Sequence, residues 1–292
     1  MSLKITPLAA ESMGTRSMAT FLECGPFRML IDPGVSLAGN RYNLPPHPLE
    51  KWRLQKHLER IRLFAESSHA VIITCFHSDH FSEELIDIYT NKMVFMQNPN
   101  VRLSAGRRKR AFLFLNQIQG RTKDTVFMDN RTFEIGNLRI KFSKPVKCSN
   151  EDSNDPVIPT AIFCEQETFL FSSNIEGLFQ DKIVHWIIQQ KPTFLYLDGP
   201  DTCRTDCRPE SNRMSIFFDM TKRLLEQTPL KTIIIDHHSP RDPDWRRKMK
   251  PLFDMAEHRN IKCRTAAEYR GEEDNLLEAR RKKLYKDEPV SP

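Results

Sequence analysis

Four side chains that can bind a metal ion lie within residues 75–80, whose sequence is Cys-Phe-His-Ser-Asp-His. Residues 70–74 just before them form an uninterrupted, mostly apolar run rich in β-branched residues, which predicts a buried strand. Such a strand would deliver a thiol, two imidazoles and a carboxylate to one edge of a sheet. Cys and His suit zinc and neighbouring transition metals, and Asp suits harder ions or a bridging position. The alternative is a polar loop with ordinary hydrogen bonds, but this density of ligands favours a metal site.

Potential ligands also follow three further predicted strands. Strand 138–142 is followed by Cys148, strand 168–172 by Asn174, and strand 231–235 by His237 and His238. Because active sites on layered α/β folds gather where strands end, we expect these side chains beside residues 75–80. Helical segments alternate with the strands along the chain, the last two predicted near 243–258 and at 274–285, and no linker-like gap interrupts them. The sequence therefore predicts one α/β domain that spans residues 1–292.

The motifs resemble those of the metallo-β-lactamase superfamily. Residues 75–80 resemble its H-x-H-x-D-H signature, with Cys75 in place of the first His. Further landmarks resemble its other motifs in the same order, namely residues 27–34, 145–148, 171–174 and 234–238. Together with residues 41–46 and 277–280, they look like an uncharacterised prokaryotic family of predicted hydrolases with this fold. The resemblance covers nearly the whole chain and implies an αββα sandwich.

The resemblance also implies two metal positions. The first would use Cys75, His77 and Cys148, and the second Asp79, His80 and either His237 or His238, with Asn174 at the bridging position. Asp79 would be both a ligand and a group that orients water. Asp32 would hold a ligand imidazole through the second ring nitrogen of that imidazole. The implied cofactor is zinc, as one or two ions, with iron or manganese as alternatives.

Three positions depart from the family pattern, namely Cys75, Cys148 and Asn174. A site with two Cys and one His is a known catalytic zinc arrangement, and thiolates shift preference towards Zn²⁺ or Cu⁺. Asn174 is the larger change, because a neutral amide adds no charge between two dications. We therefore expect separate or single-metal occupancy. Both replaced histidines are Cys, which is still a ligand, and this favours a metal-binding site over a site without metal.

The resemblance implies a hydrolase in which a hydroxide on the metal attacks an ester or phosphodiester of a small molecule. Two alternatives remain at this point. The basic chain could be a nuclease or a nucleic-acid-binding relative, since the superfamily includes such proteins. Cys75 and Cys148 could instead serve a non-catalytic metal- or redox-sensing protein. The oligomeric state is left open.

Composition indicates the class of protein, its cellular location and the redox state of its cysteines. The chain has 292 residues, of which 39% are hydrophobic, and a formal net charge of +6. It shows neither an apolar run long enough for a membrane span nor a signal-peptide pattern, so no membrane contact and a cytoplasmic location are expected. In that setting the seven cysteines are expected to be reduced thiols.

The positive charge occurs in local runs at residues 107–110, 246–248 and 280–283. Each run lies in a helix-like segment, so solvated helix faces are the first interpretation. A nucleic-acid surface would require the runs to converge on one face, with aromatic side chains for stacking. The sequence does not show whether they converge.

Other polar residues have weaker claims to a site. Asp198 ends strand 193–197 and could be a pocket acid or the first residue of a turn. His57 and His185 lie in amphipathic helices, which indicates packing or surface roles. His47 lies in a proline-rich loop and could reach a pocket.

Overall fold

Short β-branched and aromatic runs form two β-sheets that face each other. The computed structural model describes residues 3–101, 103–147 and 155–289. The first sheet contains β1 (Leu3–Pro7), β2 (Thr20–Cys24), β3 (Phe27–Ile31), β4 (Ala70–Ile73), β5 (Met93–Met96) and β6 (Asp124–Phe127), in that order. Strands β1 to β3 pair antiparallel, and strands β3 to β6 pair parallel.

The second sheet is built mainly from the C-terminal half. The strands of this sheet are β7 (Thr132–Ile135), β8 (Leu138–Phe142), β11 (Thr160–Cys164), β12 (Glu167–Phe171), β13 (Phe194–Asp198), β14 (Thr232–Asp236) and β15 (Lys262–Arg264). A separate two-stranded ribbon is formed by β9 (Val146–Lys147) and β10 (Pro156–Val157). The order in the sheet is β15-β14-β13-β12-β11-β8-β7. Strands β12 to β15 are parallel.

Helices cover the outer faces of both sheets. They are α1 (Pro48–Glu66), α2 (Ala105–Ile118), α3 (Asp181–Gln189), α4 (Asn212–Gln227), α5 (Trp245–Lys248), α6 (Lys250–Glu257), α7 (Ala266–Tyr269) and α8 (Arg281–Asp287). Short 3₁₀ helices occur at Glu11–Met13, Glu83–Tyr89, Thr205–Cys207 and Ser239–Arg241. Within the described residues, no helix is both long and apolar enough to cross a lipid bilayer.

Alternation along the strands decides which layer each side chain enters. In β4, Ile72 belongs to the core between the sheets, whereas Val71 and Ile73 pack in the cluster that includes α1 and α2. In β14, Ile234 enters the same central core, and Ile235 packs in the cluster that includes α3, α4 and α6. Successive residues of a strand point to opposite faces, so both faces of each sheet are buried. The fold is the αββα sandwich of metallo-β-lactamase-like proteins, as predicted.

Two predicted helices differ from the structure. The segment predicted as one helix at 243–258 is divided into α5 and α6 at Met249, two residues before Pro251. Pro251 has no amide hydrogen to donate to the carbonyl four residues earlier and its ring would clash with that carbonyl, so it is accommodated in the first turn of a new helix. The charged helix predicted at 274–285 begins only at Arg281, since residues 274–276 have no regular secondary structure and residues 277–280 form turns.

The expectation of seven reduced cysteines was wrong for Cys24 and Cys164. They form a disulfide between the end of β2 in one sheet and the end of β11 in the other, with a sequence separation of 140 residues. Both lie at the ends of strands that run antiparallel to their site-bearing neighbours, so the bridge is at the pole opposite residues 75–80. Cysteine count and spacing cannot reveal a pair that only the packing of the two sheets brings together.

The basic runs are more internally paired than solvated helix faces would be. Arg281 has no exposed surface and forms two hydrogen bonds to the carboxylate of Glu50, at 2.7 and 2.8 Å. Arg246 lies 2.8 Å from the carboxylate of Asp274. The prediction of a solvated face was wrong for Arg281, because α8 docks this residue against the first turn of α1, where Glu50 lies.

Candidate metal centre

The candidate centre lies where parallel strands of both sheets end. Residues 75–80 follow β4, Asn174 follows β12, and His237 follows β14. The loop after β3 passes very close to this turn: a Cβ on Gly34 would lie 2.2 Å from the backbone nitrogen of Phe81. Only glycine permits this approach, which brings the β3 and β4 loops together.

Asp32 fixes the position of His80. One carboxylate oxygen of Asp32 accepts the backbone N–H of Thr74 at 2.7 Å, and the other accepts its hydroxyl at 2.5 Å. The second oxygen also lies 2.6 Å from Nδ1 of His80. A carboxylate can only accept, so Nδ1 carries the hydrogen and Nε2 is the nitrogen that faces the site.

Asp79, His80 and His237 converge on one point. One ligand atom from each lies within 4.8 Å of the others, and all three residues are buried. Nε2 of His80 is 3.9 Å from Oδ1 of Asp79, and Nε2 of His237 is 3.5 Å from Oδ2 of Asp79. Nε2 of His80 is buried without a hydrogen-bond partner among the described residues. Buried polar atoms are rarely left unpaired, so the orphaned nitrogen and the Asp/His/His donor set fit a metal ion.

Asn174 lies between two histidines. Its Oδ1 is 3.1 Å from Nε2 of His237, and its Nδ2 is 3.3 Å from Nδ1 of His77. The amide therefore lies within hydrogen-bond distance of both imidazoles. This double contact places a neutral group between His77 and the Asp79/His80/His237 cluster.

The ligands that the resemblance implied for the first metal position do not form a cluster of this kind in the described residues. Cys75 is 2% exposed and packs in the apolar cluster beneath the second sheet, although its thiol is close enough to affect the titration of His80. Cys148 lies outside the described residues. Among the described residues, neither Cys75 nor His77 belongs to a group of three potential ligands.

A buried cation adjoins this cluster. Nη2 of Arg241 lies 3.4 Å from Nε2 of His237 and 3.8 Å from Oδ2 of Asp79. Nε of the same guanidinium donates to Oε1 of Glu11 at 3.1 Å. Sequence reasoning did not identify Arg241 or Glu11, because neither is part of a motif and they are 230 residues apart.

Burial and neighbouring charges shift the protonation of the cluster. Burial acts to raise the pKa of Asp79, but His80, His237 and other cationic neighbours hold it well below its usual range. Burial acts to lower the pKa of His80, yet the Cys75 thiol and the Asp32 carboxylate raise it well above its usual range. Asp79 is therefore an anion in a cationic surrounding, as a ligand carboxylate must be.

Two further acids surround His238. Oδ1 of Asp198 is 2.8 Å from Nδ1 of His238, and Oε1 of Glu176 is 3.3 Å from its Nε2. Burial raises the pKa of Asp198 to about 8, although the backbone N–H of Glu176 and Arg241 oppose the rise. Burial also raises the pKa of Glu176 to about 7, and the charge of Asp198 adds to the rise. Asp198 is thus a pocket acid, whereas Glu176 offered no sequence signal.

Two further histidines, His47 and His57, have structural roles. His47 caps the N-terminus of α1 by accepting the backbone N–H of Leu49 at 3.3 Å. His57 is buried inside α1, with Nδ1 2.7 Å from the hydroxyl of Thr15. These contacts favour the packing role predicted for His57 and place His47 at a helix end.

The chain is similar in sequence to known proteins along almost its whole length. No model of a known protein family matches the chain. The UPF0282 protein of Saccharolobus solfataricus is 35% identical over 290 residues, which cover 98% of this chain and 94% of that protein. The UPF0282 protein of Korarchaeum cryptofilum is 34% identical over 289 residues, which cover 99% and 96% of the two chains.

Solved structures share the fold at low identity. The metallo-β-lactamase-fold protein YhfI from Bacillus subtilis matches with a TM-score of 0.57 and 14% identity, covering 90% of this chain and 95% of that one. Igni18, a metallo hydrolase from Ignicoccus hospitalis, has a TM-score of 0.51 and 15% identity, with 90% and 94% covered. Zn²⁺-bound PqqB from Methylobacterium extorquens has a TM-score of 0.52 and 11% identity, with 90% and 98% covered.

These structures share the metallo-β-lactamase fold with this chain. The sequence relatives are matched over almost their whole length and at more than 30% identity. This chain belongs to the UPF0282 family, whose members it matches from end to end within a metallo-β-lactamase fold.

Proposed function

We propose that this protein is a metal-dependent hydrolase whose metal ion is held by Asp79, His80 and His237. The observation that carries the proposal is Nε2 of His80, which is buried, faces Asp79 and has no nitrogen or oxygen hydrogen-bond partner among the described residues, with the Cys75 thiol close to the ring. A cation that binds between the three side chains would displace the proton that the raised pKa keeps on this ring and would give Nε2 a partner. The donor set suits Zn²⁺, and it also resembles the ligand triad of non-haem iron sites.

The side chains around this position support hydrolysis of an ester or phosphodiester. A bound divalent cation would polarise the substrate oxygen and lower the pKa of a water molecule towards neutrality. Asp32 keeps the proton of His80 on Nδ1, so that Nε2 is directed into the site. Arg241 adds a fixed positive charge 3.8 Å from Asp79, which favours an anionic substrate or transition state near the centre.

Asn174 should limit the rate of hydrolysis. A bridging carboxylate would hold two dications close together, whereas Asn174 presents a neutral amide within hydrogen-bond distance of His77 and His237. We therefore expect weak hydrolysis of generic substrates by the wild type. This expectation separates the protein from a hydrolase with a complete two-metal bridge.

The two alternative functions gain less support. A redox-sensing thiol should be exposed and have a low pKa, but burial raises the pKa of Cys75. A nucleic-acid surface needs accessible cations, and two members of the basic runs are already engaged: Arg281 is buried in its pair with Glu50, and Arg246 pairs with Asp274. A small ester or phosphodiester is accordingly the first substrate class to test.

The test uses protein reloaded with Zn²⁺, Mn²⁺ or Fe²⁺ and a panel of nitrophenyl esters and bis-nitrophenyl phosphate. We expect metal-dependent hydrolysis of at least one substrate, which Asp79→Asn abolishes. Asp219→Asn, an exposed acid on α4, is the matched control and should retain the rate. Equal rates for Asp79→Asn and the wild type would overturn the assignment.

A further inference from the structure

Two consecutive histidines after β14 enter the site in different directions. His237 has a backbone φ of 74°, in the left-handed region that residues other than glycine rarely adopt, whereas His238 is right-handed helical. Asp236 holds this turn by accepting the backbone N–H of His237 at 2.8 Å and that of Ala266 at 2.9 Å. As a result the two rings meet nearly at right angles, with centroids 4.5 Å apart.

The second histidine belongs to a group of potential ligands of its own. One ligand atom each from Asp198, His237 and His238 lies within 4.8 Å of the others, and all three residues are buried. This group does not include Asp79 or His80, so it is a separate group that shares only His237 with the centre described above. No motif of the superfamily signature in this chain assigns a ligand role to Asp198.

Glu176 and the backbone orient this group as Asp32 orients His80. Oε1 of Glu176 is 3.3 Å from Nε2 of His238, so the opposite nitrogen, Nδ1, faces Asp198 at 2.8 Å. Oδ2 of Asp198 is held by the backbone N–H of Glu176 at 2.7 Å, which leaves Oδ1 directed at His238. Ligand imidazoles in metal sites commonly donate their second N–H to a carboxylate in this way.

Two buried acids flank one imidazole in this cluster. Asp198 is fully buried and Glu176 is 7% exposed, and both face the ring of His238. The nearby guanidinium of Arg241 is engaged by Glu11. A divalent cation would bind Asp198 and His238 in place of the proton of the hydrogen bond between them.

We propose that Asp198 and His238 bind a second divalent cation, with Glu176 as the positioning residue and His237 shared between the two groups. The mixed carboxylate and imidazole donors suit Zn²⁺, Mn²⁺ or Fe²⁺. The inference deepens the proposed function, because it rests on a first ion at Asp79, His80 and His237. It gives the chain a second ion whose ligands do not include Asn174, so that its binding does not require the missing bridging carboxylate.

The test counts ions and compares matched histidine variants. Protein stripped with chelator is titrated with Zn²⁺ and, separately, Mn²⁺, and bound metal is measured after desalting. We expect two equivalents for the wild type and one for either His238→Gln or His80→Gln. His185→Gln, which changes an exposed histidine on α3, should retain two. One equivalent for the wild type, or two for His238→Gln, would overturn the proposal.

If His238→Gln does not fold, a second variant and a crystal soaked in metal still test the proposal. Glu176→Gln should keep the second ion but weaken its binding by about 10- to 100-fold, the usual effect of losing such a carboxylate. Anomalous scattering from a crystal soaked in Mn²⁺ should show a peak between Asp198 and His238. Absence of that peak overturns this inference even if hydrolysis is observed. Two bound ions without hydrolysis would instead overturn the proposed function.

Discussion

Nδ1 of His80 donates to the carboxylate of Asp32 at 2.6 Å, and neither side chain has any exposed surface. The pair joins the loop after β3 to the loop after β4 and leaves Nε2 of His80 without a partner among the described residues. The candidate centre depends on this orientation, because a flipped imidazole would not direct Nε2 towards the position between Asp79 and His237.

Replacing Asp32 by Asn should therefore weaken metal binding without removing a ligand. An amide cannot satisfy the donors of Thr74 and fix the His80 tautomer at the same time, so we expect Zn²⁺ affinity to fall by about 10- to 100-fold. Competition titration with a chromophoric chelator measures the change. Thr74→Val is the control, since it removes a hydroxyl contact of Asp32 and keeps the contact with His80. Unchanged affinity for Asp32→Asn would show that this carboxylate does not orient a ligand.

Replacing Asn174 by Asp should strengthen metal binding and raise hydrolysis. A carboxylate 3.1 Å from Nε2 of His237 adds an anion directly beside the cation, where its charge is poorly screened. We expect at least a tenfold lower Kd for Zn²⁺ and a parallel gain in rate. The gain should disappear when His80→Gln is added. If the variant and wild type have equal Kd values and equal rates, position 174 does not contact a metal.

Removing the buried cation of α8 should destabilise the protein strongly. Arg281→Met leaves the carboxylate of Glu50 buried without its partner, and such losses cost about 3–5 kcal/mol. Arg280→Met changes the exposed neighbour in the same basic run and should stay within about 0.5 kcal/mol of the wild type. Urea unfolding measures both, and adding Glu50→Gln to Arg281→Met should recover part of the loss. Equal effects of the two Arg variants would mean that the pair contributes no more than surface charge.

His57 should lower the free energy of unfolding at acidic pH. Burial, with a smaller effect of the charges of Arg60 and Arg53, lowers its pKa from 6.5 to about 3. The unfolded chain then binds a proton below pH 6.5 that the folded chain refuses, so stability is lost as pH falls from 6.5 towards 3. The slope is about 1.4 kcal/mol per pH unit. His57→Gln should lose about 2–3 kcal/mol less than the wild type between pH 7 and 4.5 in urea unfolding. Parallel pH profiles would contradict the prediction.

The architecture was largely predictable, because it follows from local patterns. Runs such as residues 70–74 and 231–235 are short, apolar and β-branched, and they form β4 and β14. Strands with weaker patterns were missed: β7 (Thr132–Ile135) alternates exposed with half-buried residues at the edge of its sheet. The break between α5 and α6 was also missed, although Pro251 was visible as its cause.

The surroundings of the site were harder to predict than the strand ends that build it. Asp79 and His80 stand in one motif, whereas Glu11 and Arg241 are 230 residues apart and acquire their roles only through folding. Glu176 is one acid among many in the sequence, and only its 3.3 Å distance to His238 distinguishes it. The Cys24–Cys164 disulfide was missed for the same reason. Isolated residues without periodicity or motif carry no local signal of a long-range contact.

Metal content tests the central claim most directly. The wild type and His80→Gln are purified in parallel without chelators, incubated with micromolar Zn²⁺, desalted and analysed for transition metals. The proposed centre predicts at least one tightly bound equivalent of zinc, iron or manganese in the wild type and the loss of about one equivalent in His80→Gln. A wild type that contains no transition metal and takes up none, or a His80→Gln variant with unchanged content, would contradict the claim that Asp79, His80 and His237 bind a metal ion.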